Sequence, residues 1–317
     1  MNKILITGYS GFVGRHLLNT LRSLENVNLL GRSTPAECHR YLKANIDSHS
    51  DYSSVLQNVD AVVHIAARVH VMSETEENPL EVFRLVNTAG TLNLAKQAVK
   101  FGVKRFIFIS SIKSNGESSQ LGKPFRYDDP RTPEDFYGQS KSEAEEQLLE
   151  LAKETGLEVV IIRPTLVYGA GVKANFASLM RLVSKGLPLP FGCITNNARS
   201  LVSVKNLVGL IVTCIDHPKA VNEVFLVSDD HDVSTSEMVQ QMSKALGKSS
   251  LQLPVPVWCY KLVGKLLKKE GVIDRLTGSL QVDITHTKET LGWQPPQTLA
   301  DGFKETADYI LELQGKK

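Results

Sequence analysis

KILITGYSGFVGRHLL, residues 3–18, is the stretch that decides the fold. Ile4, Leu5 and Ile6 form a run of β-formers that reads as a buried strand of parallel type. Thr7 and Gly8 end it. Gly8, Gly11 and Gly14 follow at three-residue steps, while Phe12, Val13, Leu17 and Leu18 take up helical spacing. A strand, a glycine turn and a helix in so short a span make a cradle for a nucleotide phosphate. Gly8 permits the tight turn, Gly11 lets the backbone approach a pyrophosphate, and Gly14 lets the helix lie close on the strand. The helix start, with Phe12 and Val13, offers unsatisfied N–H groups and the positive end of the helix dipole. The spacing is G-x-x-G-x-x-G rather than the commoner G-x-G-x-x-G. Its place between a strand and a helix favours a dinucleotide site over a merely structural turn.

Working outward, residues 27–30 read as a second strand, ending in Gly31-Arg32-Ser33. In such a fold this position faces the adenosine ribose, where an acid holds the 2′-hydroxyl of NAD and an arginine accommodates the 2′-phosphate of NADP. With no acid present, Arg32 points to NADP(H), with NAD(H) left open. The competing reading is a solvated loop arginine. Residues 60–65 form a third strand, and Ala66-Ala67 after it are small where a cofactor would pass. His64 reads as a buried, hydrogen-bonded residue rather than a catalytic one. Residues 80–101 carry helical periodicity, and residues 104–109 are a strand ending in Ser110-Ser111. Ligands of open α/β sheets bind at such carboxyl ends. A polar segment of glycine and proline follows over 112–135, and long loops of this kind are often functional. Residues 136–155 are a helix and 157–163 another buried strand.

This alternation specifies an α/β chain with a Rossmann-type, doubly wound parallel sheet. Beyond residue 168 helices dominate, at 175–184, 204–214, 236–246, 256–268 and 299–313, with a short strand at 223–227. The expected division is a dinucleotide domain of residues 1–167 plus about 201–228. A smaller, mostly helical substrate domain takes about 168–200 and 229–317. In residues 257–269, Leu262, Val263, Leu266 and Leu267 line one side, with lysines elsewhere. That pattern suits an acidic membrane surface, but an ordinary packed helix with a wet lysine face is the preferred reading.

The 317 residues carry a formal net charge of +2 and no long basic block, which gives no reason to expect nucleic acid. The 4 cysteines are scattered and form no C-x-x-C, so neither a zinc site nor a disulfide scaffold is suggested. No apolar run has the length of a membrane span. Met1 leads straight into the first strand, leaving no room for a signal peptide, so a cytoplasmic location is expected.

Tyr137-Gly138-Gln139-Ser140-Lys141 opens the helix at 136–155, and residues four apart share one face. A free phenol has a pKa of about 10 and is a poor base at neutral pH. Lowering it by three units takes about 4 kcal/mol. A neighbouring ammonium and a cationic nicotinamide ring together fit that demand.

These motifs together resemble the extended branch of the short-chain dehydrogenase/reductase superfamily, the NAD-dependent epimerase/dehydratase family. The likeness runs through TGYSGFVG (7–14), HIAA (64–67), VNTAGTLNL (86–94), FISSIKSNG (108–116), YGQSK (137–141), IIRPTLVYG (161–169) and ARSLVSVKNLV (198–208). It implies that Tyr137 is the acid/base on the sugar oxygen, with Lys141 lowering its pKa and holding the nicotinamide ribose, so that both line the cofactor, and with Ser111 bonding the same oxygen. It implies Asp47 near the adenine, and Asn175, Arg199 and Arg275 on the UDP part of a substrate, a role for which guanidinium forks are suited. For Arg275 an ordinary surface arginine remains an equal reading. The resemblance also implies a homodimer through helices 80–101 and 136–155.

ARVHVM (67–72), SIKSNGE (111–117) and GVKANF (171–176) resemble a subgroup of UDP-glucose 4-epimerase-like and UDP-N-acetylquinovosamine-forming 4-keto reductase proteins. Ser114-Asn115-Gly116 stands where NAD-retaining epimerases usually read Val-Tyr-Gly. With Arg32, this favours an NAD(P)H-dependent reductase acting on C4 of a UDP-4-keto-6-deoxy-N-acetylhexosamine. The alternative is a UDP-hexose 4-epimerase using the same Ser111, Tyr137 and Lys141.

Overall fold

The first part of the chain alternates strand and helix: β1 (Ile4–Thr7), α1 (Phe12–Thr20), β2 (Val27–Gly31), β3 (Arg40–Lys43), α2 (Ser53–Leu56), β4 (Ala61–His64), α3 (Pro79–Arg84), α4 (Thr91–Lys100), β5 (Arg105–Ile109), α5 (Phe136–Thr155) and β6 (Glu158–Pro164). The rest adds β7 (Leu166–Tyr168), α6 (Ala174–Ser184), β8 (Arg199–Ser203), α7 (Val204–Asp216), β9 (Val224–Val227), β10 (Asp232–Val233), α8 (Thr235–Ala245), α9 (Val257–Leu266), α10 (Glu270–Thr277), α11 (Thr285–Leu291) and α12 (Leu299–Gly315). This computed structural model describes residues 3–21, 26–35, 40–69 and 78–315, with backbone alone at 174, 175, 314 and 315. Cys38 and part of the ARVHVM stretch lie outside the described residues, as does the side chain of Asn175.

Seven strands form one parallel sheet in the order β3-β2-β1-β4-β5-β6-β9. Ile6 sits between Leu29 of β2 and Val63 of β4. The strand order reverses on either side of β1, which opens a crevice at the carboxyl ends of β1 and β4. Successive residues of β1 go to opposite faces. Ile4 and Ile6 join α1 and α7 through Leu17, Leu207 and Ile211. Leu5 joins α2, α4 and α5 through Val55, Leu94 and Leu148. A third cluster around Tyr168, Phe176, Met180, Met242 and Phe303 holds α6, α8 and α12 together. Beside it lies a sheet in the order β10-β8-β7, whose strands of two to five residues are too short to stand out in the sequence.

The helix expected over 80–101 is divided: α3 and α4 flank a π-helical stretch, Leu85–Gly90. The widening turns Asn87 and Thr88 inward, where Asn87 Nδ2 donates to Ser140 Oγ at 3.0 Å and Thr88 Oγ1 to the Ser140 carbonyl at 2.9 Å. Such π-bulges recur at functional sites. The helix at 136–155 forms as expected, with Asp135 as its N-cap and Gly156 closing it at φ 74°. The packed reading of 257–269 is overturned. Its helix, α9, ends at Leu266 and α10 follows from Glu270; Gly264 is the one buried residue of α9, and α10 buries none. Among the described residues no helix is long and apolar enough to cross a membrane.

Candidate active site

The glycine turn has the expected shape for three separate reasons. Gly8 sits at φ +70°, and a Cβ there would stand 2.7 Å from the Ala66 amide nitrogen. A Cβ on Gly14 would stand 2.2 Å from the Gly8 carbonyl oxygen, so α1 lies directly on the turn. Gly11 caps α1, and a Cβ on it would meet only Gly8 O within 4 Å, at 3.2 Å. Open space above Gly11 and a helix start beneath it suit a pyrophosphate, with Phe12 and Val13 supplying the first helical amides.

Thr7 ties this turn to β4. Its Oγ1 accepts from the amides of Ile65 and Ala66 at 3.2 and 3.1 Å, which fixes the backbone leading to Ala67. The hydroxyl proton therefore points to His64 Nδ1, at 2.7 Å. On the other side of the ring Thr91 Oγ1 donates to the Asn87 carbonyl at 2.7 Å, so it accepts from His64 Nε2 at 2.9 Å. The chain assigns His64 the Nε2–H tautomer. Burial, aided by the charge of Lys141, lowers its pKa to about 3. His64 is a neutral strut between strand and helix, as its sequence setting indicated.

Asp47 is partly exposed beside α4. Its carboxylate accepts from the amides of His49 and Ser50 at 2.9 and 2.7 Å, which hold its pKa below the ordinary range. A Cβ on Gly90 would stand 2.9 Å from the Asp47 amide, so this glycine, unremarked in the sequence, seats the Asp47 loop on the π-helical stretch. Arg32 is exposed at the end of β2.

Ser111 and Lys141 meet at the carboxyl end of β5, and Tyr137 stands one turn before Lys141 in the first turn of α5, its ring 6.2 Å from that of Phe83. Ser111 caps a short 3₁₀ turn, its Oγ accepting from the Lys113 amide at 3.2 Å. A Cβ on Gly138 would stand 2.5 Å from the Lys113 carbonyl, so the first turn of α5 presses on the Ser111 loop. Asp135 clasps the two from outside, accepting from the Gly138 amide at 2.6 Å and from Lys113 Nζ at 2.5 Å. Lys141, 1% exposed, donates from Nζ to the Ile109 carbonyl at 2.8 Å and lies 4.2 Å from the Phe108 ring centroid.

The expected lowering of the Tyr137 pKa is not what the protein itself does. Burial, with Asp135 adding to it, pushes the phenol well above its ordinary value. Burial brings Lys141 down to about 7, against the charge of Glu145, which acts to raise it. Its ammonium is turned to Ile109 and Phe108.

Sequence reasoning missed the support behind these residues. Glu145, fully buried one helical turn beyond Lys141, receives Arg163 Nη2 at 2.6 Å and Arg163 Nε at 3.0 and 3.1 Å. Ser110 Oγ also donates to Glu145. Arg163 Nη1 donates to Asn115 Oδ1 at 3.0 Å. The Ser114-Asn115 departure is thus a buried structural change, with Ser114 Oγ 3.2 Å from Ser110 Oγ. The available signal was Lys141-x-x-x-Glu145, a pair on one helix face.

Across the crevice, Arg199 Nη1 donates to the carbonyls of Arg275 and Gly278 at 2.9 and 3.3 Å. Burial and the Arg275 charge lower its pKa. Arg275 Nη2 is 3.6 Å from Glu117, which also takes Lys113 Nζ at 2.5 Å. Arg199 thus lies against the backbone of Arg275, whose own guanidinium turns to Glu117 beside the Ser111 loop. An anion beside Arg199 would offset its burial and the like charge of Arg275.

The family model for the NAD dependent epimerase/dehydratase family matches residues 4–228. The chain is 60% identical over 318 residues to a UDP-glucose 4-epimerase of Vibrio cholerae, covering 99% of this chain and 97% of that one. It is 28% identical to the N-acetyl-alpha-D-glucosaminyl-diphospho-ditrans,octacis-undecaprenol 4-epimerase of Escherichia coli O157:H7, over 97% and 95% of the two chains. Its fold matches the UDP-glucuronic acid 4-epimerase of Bacillus cereus, solved in complex with NAD, with a TM-score of 0.76 at 21% identity over 98% and 99% of the chains.

Proposed function

The chain belongs to the NAD dependent epimerase/dehydratase family, and from that premise we propose that it is a 4-epimerase of UDP-linked hexoses or N-acetylhexosamines. The observation that supports the reading is the meeting of the Ser111 turn, the first turn of α5 and Lys141 at the end of β5, with Arg199 against the backbone of Arg275 and Arg275 paired with Glu117 beside that turn. On this reading one end of the crevice offers an acid/base on a sugar hydroxyl, and the other offers two arginines for a diphosphate. The epimerase reading takes precedence over the 4-keto reductase expected from Arg32 and Ser114-Asn115. A UDP-glucose 4-epimerase is 60% identical over nearly the full length. Ser114 and Asn115 are accounted for by the buried network behind the site.

Gly8, Gly11 and Gly14 would hold NAD, which would supply hydride transfer at sugar C4 and, when oxidised, a positive charge. The chain's own residues do the rest. Tyr137 removes the C4 hydroxyl proton and restores it after the sugar has turned. Ser111 holds the same oxygen, and Lys141 holds the ribose and stabilises the phenolate. Arg199 and Arg275 grip the diphosphate while the hexose moves. We assign NAD, the dinucleotide held by the Bacillus cereus 4-epimerase whose fold the chain matches. We also propose the cytoplasm as its location, and the division into a dinucleotide domain and a substrate domain at the boundaries given above. The homodimer is proposed through α4 and α5, where Arg84, Thr88, Leu92, Lys96 and Glu143 line an open groove.

The test is interconversion of UDP-glucose and UDP-galactose, or of their N-acetyl forms, without added cofactor. Tyr137→Phe is expected to lower kcat by about 10²–10⁴-fold with bound nicotinamide content unchanged. Stoichiometric NADPH loss with a UDP-4-keto sugar, and no interconversion, would restore the reductase.

A further inference from the structure

The α9–α10 hairpin turns its apolar side to solvent. Trp258, Leu262 and Leu266 stand four residues apart along one line of α9, with Trp258 66% and Leu266 74% exposed. Leu267 and Val272, also exposed, continue the strip around the turn. Gly264 makes this geometry possible: a Cβ there would stand 2.6 Å from Ile273 Cγ1, so α10 lies close on the opposite side of α9. Lys261, Lys265, Lys268 and Lys269 rim the strip, against Glu270 and Asp274. A chain with a net charge of only +2 has thus gathered four lysines around one apolar ridge.

Single exposed leucines are ordinary, but a continuous strip bounded by charge marks a contact surface. Tryptophan and leucine along one side with lysines beside them is the make-up of a helix lying in a bilayer interface. The charge selects the partner, because lysines complement lipid phosphates and repel a basic surface. We propose that the α9–α10 hairpin seats the protein on an anionic lipid bilayer, with Trp258, Leu262 and Leu266 in the headgroup region. Arg275 ends α10 and adjoins Arg199. Resting on the proposed reading of that pair as the diphosphate site, the docked hairpin sets this end of the crevice at the membrane surface.

The experiment is co-sedimentation of the full chain with vesicles of phosphatidylethanolamine and phosphatidylglycerol, and with vesicles of phosphatidylcholine alone. Binding to the anionic vesicles, weakened by salt and accompanied by a blue shift of Trp258 emission, is expected. Leu262→Glu with Leu266→Glu is expected to weaken binding by about tenfold or more, with UDP-hexose turnover and circular dichroism unchanged. Activity of that variant keeps the surface separable from the epimerase reading. Absence of binding to the anionic vesicles, or equal binding by the variant, overturns the proposal. So does a concentration-dependent dimer that the double substitution dissolves, which would give the strip to a second copy.

Discussion

Helices α5 and α9 break the inside-apolar rule in opposite directions. α5 buries Ser140, Lys141 and Glu145, whereas α9 exposes Trp258, Leu262 and Leu266. Every buried polar group of α5 has a fixed partner: Ser140 has Asn87, Lys141 has the Ile109 carbonyl, and Glu145 has Arg163 and Ser110. Burial without such partners would cost several kcal/mol per ion, of the order of the whole net stability of a domain. The apolar groups of α9 carry a smaller penalty, about 25 cal/mol per Å² left in water. Departures from the binary pattern mark function when something outside local packing accounts for them. In α5 that is the chemistry proposed for Tyr137 and Lys141; in α9 it is the proposed lipid surface.

The comparison breaks most sharply at Arg163. Arg163→Leu leaves Glu145 buried with Ser110 as its hydrogen-bond donor and Arg131 4.0 Å away, and is expected to cost about 3–5 kcal/mol of unfolding free energy. Adding Glu145→Gln to it removes the under-compensated charge and should recover part of that loss in denaturant titrations. If Arg163→Leu is neutral, the inside-out polarity of α5 does not depend on its partners.

Most of the frame was legible in the sequence. The glycine spacing, the strand–helix alternation and Tyr137-x-x-x-Lys141 each express a local rule of backbone or periodicity, and local rules survive without knowledge of the fold. The supports were not legible because they join distant segments. Glu145 meets Arg163 from another element, Asn87 meets Ser140 through a π-helical stretch, and Arg199 meets Arg275 across 76 positions. The misreading of residues 257–269 has a different cause. An amphipathic pattern states which side is apolar and leaves open what covers it.

His64 provides the intermediate effect. Its folded pKa of about 3 lies below the unfolded value of 6.5, so the unfolded chain takes up a proton that the native chain refuses. The stability from this neutral ring is fully present above pH 6.5. It falls by about 1.4 kcal/mol for each pH unit below 6.5, until the folded pKa is reached. His64→Gln should lose part of that slope in urea titrations between these limits, whatever it does to stability at pH 8. A variant with the wild-type slope would show that His64 is not what couples acid to unfolding.

The smallest effect is expected where the apolar side chain is already in water. Leu148→Ser in α5 empties a fully buried site, and a change of that kind costs about 2–5 kcal/mol. Leu266→Ser in α9 removes a side chain that is 74% exposed. Its effect on unfolding should stay within about 0.5 kcal/mol, as for surface positions without special contacts. The same substitution thus measures what each helix packs against. Should Leu266→Ser cost as much as Leu148→Ser in dilute solution without lipid, α9 has a partner within the protein's own assembly, and the contrast between the helices disappears. If the cost stays small in solution and the vesicle-bound fraction falls, the apolar strip contributes nothing to the fold and belongs to the surface it docks on.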